Sequence, residues 1–307
     1  MGKLENEVLS PHLFSNRNFK YMTRYFNNRL FKLFCLLSVL FLGLVLLSII
    51  IFIGRTGLLV FKDVSFKEFF FTKTWEPYDN KFGIATFILG TLELTGLTLL
   101  LAAPISIGIA VFTAEIAPNW LKRILRPVLD LLVGIPSIVY GYLGLTILIP
   151  VIRKITGAPV GDGLLAAAIV LIIMVLPTIS SISDDAISSV PQELKEASYA
   201  LGGTRMQTIF KVIFPAAAPG IFTAVILGMA RAIGETMAVV MVIGNTPQLA
   251  SNLWTPTAVL TSNIVNQIID VEFDSTWNYA LYMMAFLLLL ISNLLIVIIR
   301  KLRTKGV

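Results

Sequence analysis

The chain has 307 residues, of which 56% are hydrophobic and 14% charged, and its formal net charge is +6. A soluble domain has about 45–50% apolar and about 25% charged residues, so a water-soluble globule could not bury this much apolar surface. The sequence contains one cysteine, Cys35, and one histidine, His12. These counts exclude a disulfide-rich scaffold and argue against a histidine metal site or a Ser-His-Asp triad. The composition therefore indicates an integral membrane protein.

Six segments are long and apolar enough to cross a membrane, which takes about 20 mostly apolar residues. None of them alternates apolar and polar residues, so helices are favoured and a β-barrel is rejected. The second segment is long for one span, which predicts a tilted helix or one that extends past the interface. The predicted spans are 30–53, 83–113, 127–152, 164–181, 219–243 and 278–299. The predicted fold is an all-α integral membrane protein with six transmembrane helices.

Positive charges between the spans predict the orientation of the chain. An even number of spans places both termini on one side, and that side carries 16 lysines and arginines against 7 on the other. Arg231 lies within a span and is counted with neither side. Both termini are therefore expected to be cytoplasmic. Membrane topology explains these charges better than nucleic-acid binding, which needs them clustered on one exposed face.

The remaining segments complete the predicted organisation. Residues 1–29 form a cytoplasmic N-terminal segment, 54–82 an aromatic and charged periplasmic loop, and 301–307 a cytoplasmic tail. The apolar run 30–53 is longer than the core of a signal peptide, about 7–15 residues, and no A-x-A cleavage site follows it. We expect this run to stay as a transmembrane anchor, followed by a five-helix core over 83–300.

The cytoplasmic loop 184–215 has the pattern of two short helices joined by a turn. A proline opens the first helix, an apolar stripe follows it, two glycines end it, and a threonine caps the second helix. These residues are Pro191; Leu194, Ala197 and Leu201; Gly202 and Gly203; and Thr204. The second helix is expected to end at Phe214, and the pair to form a knob that projects from the membrane. The alternatives are a connector lying flat on lipid headgroups and a DNA-binding helix-turn-helix, for which the loop has little basic charge.

The same loop resembles the coupling loop of binding-protein-dependent importer permeases. That family has the pattern E-A-A-x3-G-x9-I-x-L-P, and the matching residues here are Glu196, Ala197, Ser198, Gly202, Val212, Phe214 and Pro215. Ser198, Val212 and Phe214 depart from the pattern conservatively. The resemblance implies that the loop docks on a separate ATPase subunit. The chain has no G-x-x-x-x-G-K-[ST] motif, so it is not expected to bind ATP in the P-loop manner. The resemblance implies a transport subunit and not an enzyme, with ATP hydrolysed by the partner subunit.

Further segments resemble the permeases of phosphate importers, of the PstC type. The matching stretches are 90–92, 104–108, 115–118, 134–141, 219–221, 228–239 and 244–245, and the similarity covers about residues 83–300. It implies a type I ABC importer permease fold in an inner or plasma membrane. It also implies three kinds of partner: a paralogous permease subunit, two ATP-binding subunits and an external phosphate-binding protein. No cofactor and no metal ion are implied.

Arg231 is the clearest candidate for a substrate contact, because the predicted fifth span places it near the middle of the membrane. An unpaired arginine there costs about 2.5–3.5 kcal/mol even on the mildest scale, so it should face protein or a water-filled cavity. Its planar guanidinium matches the oxygens of a phosphate ion. Glu235, one helical turn later, is expected on the same face, holding Arg231 in place between ions. The alternative is a structural ion pair that joins helices.

Three other polar residues are candidates for the pathway. Glu93 lies within the second span, and two roles are open for it: pairing with Arg231 across helices, or a position in the water path. Ser137 and Tyr140 are three residues apart beside Pro136 in the third span, where they are plausible cavity residues.

The predicted function is the permease subunit of an ATP-driven phosphate importer, which forms half of the pathway and couples to an ATPase through 184–215. One rival is a permease for a different oxyanion. Another is a secondary transporter in which Arg231, Glu235 and Glu93 relay protons or bind an anion. Such carriers often show two related halves, and no internal repeat is found in this sequence.

Overall fold

The structure is a computed structural model that describes residues 12–305. The predictions for residues 1–11 and 306–307, and with them the side of the membrane on which the termini lie, fall outside the described residues. The chain divides into two compact units, Met1–Ile53 and Gly54–Val307. Helix α1 begins at His12 and ends at Leu58. Its side chains over 30–53 are mostly exposed, which suits a helix that contacts lipid.

The segment after α1 forms a small folded cap of the second unit. It contains a 3-10 turn, Leu59–Lys62, and the short helix α2, Phe66–Phe71. Strands β1, Trp75–Glu76, and β2, Lys81–Phe82, then form an antiparallel hairpin that sequence reasoning did not predict. The Trp75 ring packs edge-on against Phe87 with centroids 5.4 Å apart. This aromatic contact fixes the cap on the N-terminal end of the next helix.

The rest of the second unit is mainly helical. Its helices are α3, Ala85–Val111; α4, Asn119–Gly134; α5, Ser137–Leu143; α6, Ile149–Thr156; α7, Leu164–Ser188; α8, Gln192–Ala200; α9, Arg205–Thr208; α10, Phe214–Gly234; α11, Met237–Val242; α12, Leu260–Gln267; and α13, Thr276–Lys305. Three π turns extend or join them: Phe112–Ile116, Gly144–Leu148 and Ile209–Ile213.

Six helical stretches of the described chain are long and apolar enough to cross a membrane, which confirms the predicted number of spans. They are Leu30–Lys62, Ala85–Ile116, Ser137–Thr156, Leu164–Ser188, Arg205–Gly234 and Thr276–Lys301. The second stretch has 32 residues, in agreement with a helix that extends past the membrane interface. The most buried of the six is α7, and α3 and α10 pack along it.

Two predicted spans are wrong as continuous helices. The third, 127–152, is interrupted because α4 ends at Gly134 and Ile135 is extended before Pro136, as expected for a residue that precedes proline. The fifth, 219–243, is interrupted because α10 ends at Gly234 and Glu235 is extended, with ψ 126°. Hydropathy detects neither interruption, since apolar residues continue on both sides of each break.

The second helix of the knob also differs from the prediction. It does not end at Phe214, because the π turn Ile209–Ile213 joins α9 to α10 in one helical stretch, Arg205–Gly234. The turn places Pro215 at the start of α10, where a proline without an N–H is tolerated. The loop is therefore connected rigidly to the helix that carries Arg231.

Candidate functional site

The Arg231 side chain lies at the middle of the helical core. Arg231 is in the last turn of α10, and its Nη1 donates a hydrogen bond to Thr178 Oγ1 at 2.9 Å. Thr178 is near the middle of α7, so the guanidinium is level with the centre of that helix. The residue is partly buried. Thr178 was not among the predicted site residues. Its position directly after Pro177 in an apolar helix is the feature of the sequence that could have indicated it.

Close packing of α10 on α7 brings these two residues together. A Cβ on Gly228 would lie 2.5 Å from a carbon of Ile179, so only glycine allows this approach. Small residues at such contacts are the usual means by which membrane helices come close. Gly228 is almost one turn before Arg231, and Ile179 follows Thr178. The glycine therefore positions the arginine for its hydrogen bond.

Glu235 does not pair with Arg231 in the described structure, contrary to the expectation of a shared helical face. The helix ends one residue earlier, and the extended backbone at Glu235 turns its side chain toward α11. There Oε1 accepts a hydrogen bond from the Ala238 N–H at 3.2 Å, while the Glu235 carbonyl accepts one from Thr261. Glu235 therefore caps α11 and leaves the guanidinium without a carboxylate partner among the described residues.

Ser137 and Tyr140 lie at the other helix break. The Tyr140 hydroxyl donates to the Leu132 carbonyl at 2.8 Å, and the ring is 7% exposed, so this side chain bridges the gap between α4 and α5. Ser137 is partly buried at the first turn of α5. Its hydroxyl makes no hydrogen bond with any residue that the structure describes.

The two interrupted helices meet each other. A Cβ on Gly141 of α5 would lie 2.9 Å from the Ala238 Cα of α11. This contact brings the short helices that follow the two breaks into direct packing. Arg231 and Ser137 thus each lie close in sequence to a helix break, and the helices that follow the two breaks pack together.

Glu93 is on the exposed side of α3. It forms no hydrogen bond or ion pair with another residue in the described part of the chain, and Gly96, one turn later, has open space around it. Pairing of Glu93 with Arg231 within this chain is therefore not observed. A carboxylate on an open face of a membrane helix is costly against lipid, which indicates that another surface or water covers it.

The coupling loop, residues 184–215, contains the two predicted short helices joined by a glycine turn. Gly202 has φ +79°, the left-handed conformation that glycine adopts without steric cost. Thr204 then caps α9 in a reciprocal capping box with Gln207. Pro191 precedes α8 as its cap residue and is not in its first turn. The loop thus reverses direction through one glycine and restarts a helix at once.

Helix α8 has two different faces. Its inner face is polar: Lys195 pairs with Glu115 at 2.7 Å, and the Ser198 and Thr208 hydroxyls are 2.9 Å apart. Its outer face carries the predicted apolar stripe, and Leu201 is 90% exposed at the end of it. Exposed apolar residues continue onto the second helix; the whole set is Leu194, Ala197, Leu201, Met206 and Phe210. The knob therefore presents an apolar surface away from the membrane helices.

A second arginine fixes the C-terminal end of α7. Arg126 of α4 binds Asp184 through Nε at 2.7 Å and Nη2 at 3.2 Å, and Nη2 also reaches Ser188. The hydrogen bond from Arg126 to Asp184 raises the pKa of the guanidinium, so Arg126 stays charged throughout the physiological range. Asp184 is 3% exposed. Sequence reasoning missed this pair because its two residues lie 58 positions apart.

These features define a class of protein: a helical membrane protein with six candidate spans, helix breaks at Ile135 and Glu235, and a knob of two short helices. The model of the family "binding-protein-dependent transport system inner membrane component" matches residues 105–306. The chain belongs to this family, and its fold is that of a type I ABC importer permease. It is thus a multi-pass membrane protein and a transport subunit, working with an ATPase and a substrate-binding protein, and not an enzyme itself.

Individual relatives match along most of the chain. It is 44% identical to the probable ABC transporter permease YqgH of Bacillus subtilis, over 98% of this chain and 97% of the relative. It is 35% identical to the phosphate transport system permease PstC of Haemophilus influenzae, over 93% and 96%. A solved bacterial ABC transporter for alginate import gives a TM-score of 0.63 at 16% identity, over 94% of this chain and 99% of that one. That likeness concerns the fold alone.

Proposed function

We propose that this chain is a permease subunit of an ATP-driven importer of inorganic phosphate, and that Arg231 contacts the ion. A guanidinium has five N–H donors, and Arg231 uses one of them, toward Thr178, among the residues described. This surplus of donors at the centre of the helical core is the observation that carries the proposal. Arg forks fit tetrahedral oxyanions because two parallel N–H groups match two oxygens.

The helix breaks support an aqueous route past Arg231. Irregular backbone at membrane depth is tolerated only where it is buried in protein or lines a water-filled cavity. Both breaks, at Ile135 and at Glu235, flank elements that pack together. Glu235 is occupied as the cap of α11, so it leaves the guanidinium free for an anion. Ser137, with an unused hydroxyl, is assigned to the lining of the same route.

The relatives support phosphate as the ion. The PstC permeases of Haemophilus influenzae and Xylella fastidiosa, named as phosphate transport components, are 35% and 37% identical to this chain. The names of these relatives support phosphate in particular, whereas the guanidinium of Arg231 supports a tetrahedral oxyanion in general.

Glu93 supports a second, paralogous permease subunit. Its carboxylate lies on an exposed face of α3, where lipid contact would cost at least a few kcal/mol. We assign this face to the pathway side, covered by water and by the second permease. Tyr140 supports the wall of the route by holding the α4–α5 break in place. Each permease then forms half of the pathway.

The apolar outer face of the knob is the proposed docking surface for one of two ATPase subunits. Leu201, Met206 and Phe210 are more than half exposed, which is unusual for large apolar side chains outside an interface. Glu196 is exposed beside them and forms no ion pair with the described residues. Docking there places the loop, and with it both termini, on the cytoplasmic side. An external phosphate-binding protein would deliver the ion on the opposite side.

Reconstitution of the complete complex tests this function. The chain, its partner permease, the ATPase subunits and the phosphate-binding protein are placed in liposomes with ATP on the ATPase side. We expect phosphate uptake that requires ATP hydrolysis and that equal concentrations of sulfate do not inhibit. ATP-dependent uptake of sulfate in preference to phosphate would assign the chain to another oxyanion. Phosphate uptake that needs a proton gradient and no ATP would overturn the proposal in favour of a secondary transporter.

A further inference from the structure

The cytoplasmic end of α3 is bound by basic side chains from three other segments. Lys195 of α8 pairs with the Glu115 carboxylate at 2.7 Å. Arg205 of α9 donates to the Glu115 backbone carbonyl. Lys122 of α4 donates to the Ala114 carbonyl at 2.5 Å. Two of these three cations come from the coupling loop, so the loop holds the last turn of α3 at two points.

The end of α3 is suited to such binding. The last carbonyls of a helix have no partner within it, and the helix dipole adds negative potential there. In this chain the last turn is the π turn Phe112–Ile116, which ends just before Pro118. Glu115 adds a full negative charge at the same place. Cations from neighbouring segments are therefore attracted by both the backbone and one side chain.

Burial separates the Glu115–Lys195 pair from an ordinary surface pair. The two side chains are 13% and 14% exposed. In the outer hairpin, Lys81 and Glu76 also lie 2.7 Å apart, but they are 50% and 52% exposed. Exposed pairs contribute little because water screens them, whereas removing one partner of a buried pair leaves an uncompensated charge. Removing one partner of the Glu115–Lys195 pair should therefore disturb the structure more than removing one partner of the Lys81–Glu76 pair.

Chain connectivity gives this link a special role. Helix α7 leads directly into α8, and α9 continues through a π turn into α10. A displacement of the coupling loop therefore reaches α7 and α10 through the chain itself. Helix α3 is not adjacent to the loop in the sequence, and it contacts the loop through the residues of its last turn. Those contacts link α3 to the loop directly, in addition to the packing of α3 along α7.

We propose that Glu115 and Lys195 are positioning residues that transmit motion of the coupling loop to α3. This inference rests on the proposed function, since it assumes an ATPase docked on the outer face of α8. When the ATPase displaces α8, the ion pair moves the cytoplasmic end of α3 with it. Helix α3 packs along α7 and carries Glu93 on its open face, so its movement changes the proposed pathway.

The test compares Glu115→Gln, Lys195→Gln and the double variant in the reconstituted complex. The quantity measured is phosphate uptake per ATP hydrolysed, normalised to assembled complex. Each single change should lower this ratio about fivefold or more, the usual scale of coupling between two sites. The double variant should lower it no further, because contacting residues are not additive. Lys195→Arg, which keeps the charge, should retain most of the ratio.

The matched control is Glu76→Gln, which removes the same charge from the exposed outer pair and should leave the ratio unchanged. A role limited to stability would lower the amount of complex and leave uptake per ATP unaltered, which would overturn the inference. Additive losses in the double variant would also overturn it. Failure of the proposed function is separate, because the unmodified complex would then show no ATP-dependent phosphate uptake.

Discussion

Arg126 and Arg231 differ in how much of their hydrogen-bonding capacity the chain uses. Arg126 makes three hydrogen bonds to Asp184 and Ser188 and neutralises a carboxylate that is 3% exposed. Arg231 makes one, to the neutral hydroxyl of Thr178. The positive charge of Arg126 is paired with a carboxylate, whereas that of Arg231 has no carboxylate partner among the described residues.

This difference separates a structural contact from a binding contact. Arg126 uses three hydrogen bonds within the chain, and its positive charge is balanced by the buried carboxylate of Asp184. It is therefore best explained as a clamp between α4 and α7. A guanidinium held by one neutral partner is oriented but still able to bind an anion. The comparison predicts that changes at Arg231 affect transport and changes at Arg126 affect stability.

The largest effect is expected at Arg231. Arg231→Gln should lower phosphate uptake by at least about 30-fold, since truncating a hydrogen-bonded charged contact costs about 2 kcal/mol or more. Arg231→Lys should retain part of the uptake, because it keeps the charge and loses the planar fork. Radiolabelled phosphate uptake per assembled complex is the measurement.

The double variant Arg231→Gln with Glu235→Gln distinguishes a binding contact from an ion pair. Because the two side chains do not touch in the described structure, uptake should stay as low as in Arg231→Gln alone. Near-normal uptake in the double variant would show that Arg231 is a helix clamp and would remove the contrast with Arg126.

The opposite behaviour is expected at the clamp. Arg126→Gln should destabilise the complex by about 1–3 kcal/mol, because it leaves the buried Asp184 carboxylate without a cation; the half-exposed Arg126 keeps this below the cost of a fully buried pair. Arg126→Gln with Asp184→Asn should recover most of the loss. Thermal unfolding of the purified complex measures the stability, and uptake per folded complex should not change. Lost uptake in a fully folded double variant would contradict the structural role.

A smaller effect is expected at the turn of the coupling loop. Gly202→Val should weaken binding of the ATPase about 5- to 30-fold, since a left-handed residue with a Cβ costs about 1–2 kcal/mol. No atom lies within 4 Å of a Cβ at this position, so only the backbone conformation is affected. Gly202→Asn, which tolerates the same conformation, is the control and should bind nearly normally. Equal dissociation constants for all three proteins would exclude the knob as the docking surface.

The smallest effect is expected at Glu235. Glu235→Gln keeps an oxygen that can accept the Ala238 N–H, so stability should change by less than about 0.5 kcal/mol. Glu235→Ala removes this cap and should cost about 1 kcal/mol. Thermal unfolding separates the two variants. A large loss in Glu235→Gln would indicate that the negative charge itself is required, and therefore that Glu235 is closer in role to the carboxylate of Asp184.

Much of the coupling loop could be predicted from sequence, because its structure is local. The positive φ of Gly202, the cap at Thr204 and the outward apolar stripe follow from residues within a few positions of one another. The prediction failed at Pro215, where a proline was taken as the end of a helix. The π turn before it shifts the hydrogen-bonding pattern, and a proline then fits the start of α10.

The sequence by itself determined the membrane class, the number of spans, the knob and the presence of an arginine in an apolar helix. Hydropathy, spacing and turn residues are properties of short segments, so they can be read without knowing how the helices pack. Tertiary structure decided the partners. Thr178 is 53 positions from Arg231, and Glu115 is 80 positions from Lys195. These pairs form only because α3, α7 and α10 pack closely, and that packing depends on side-chain shapes along whole helices. The same packing leaves Arg231 with unused N–H donors and gives Arg126 a carboxylate partner. The sequence alone does not distinguish these two arginines, because their partners lie far away along the chain.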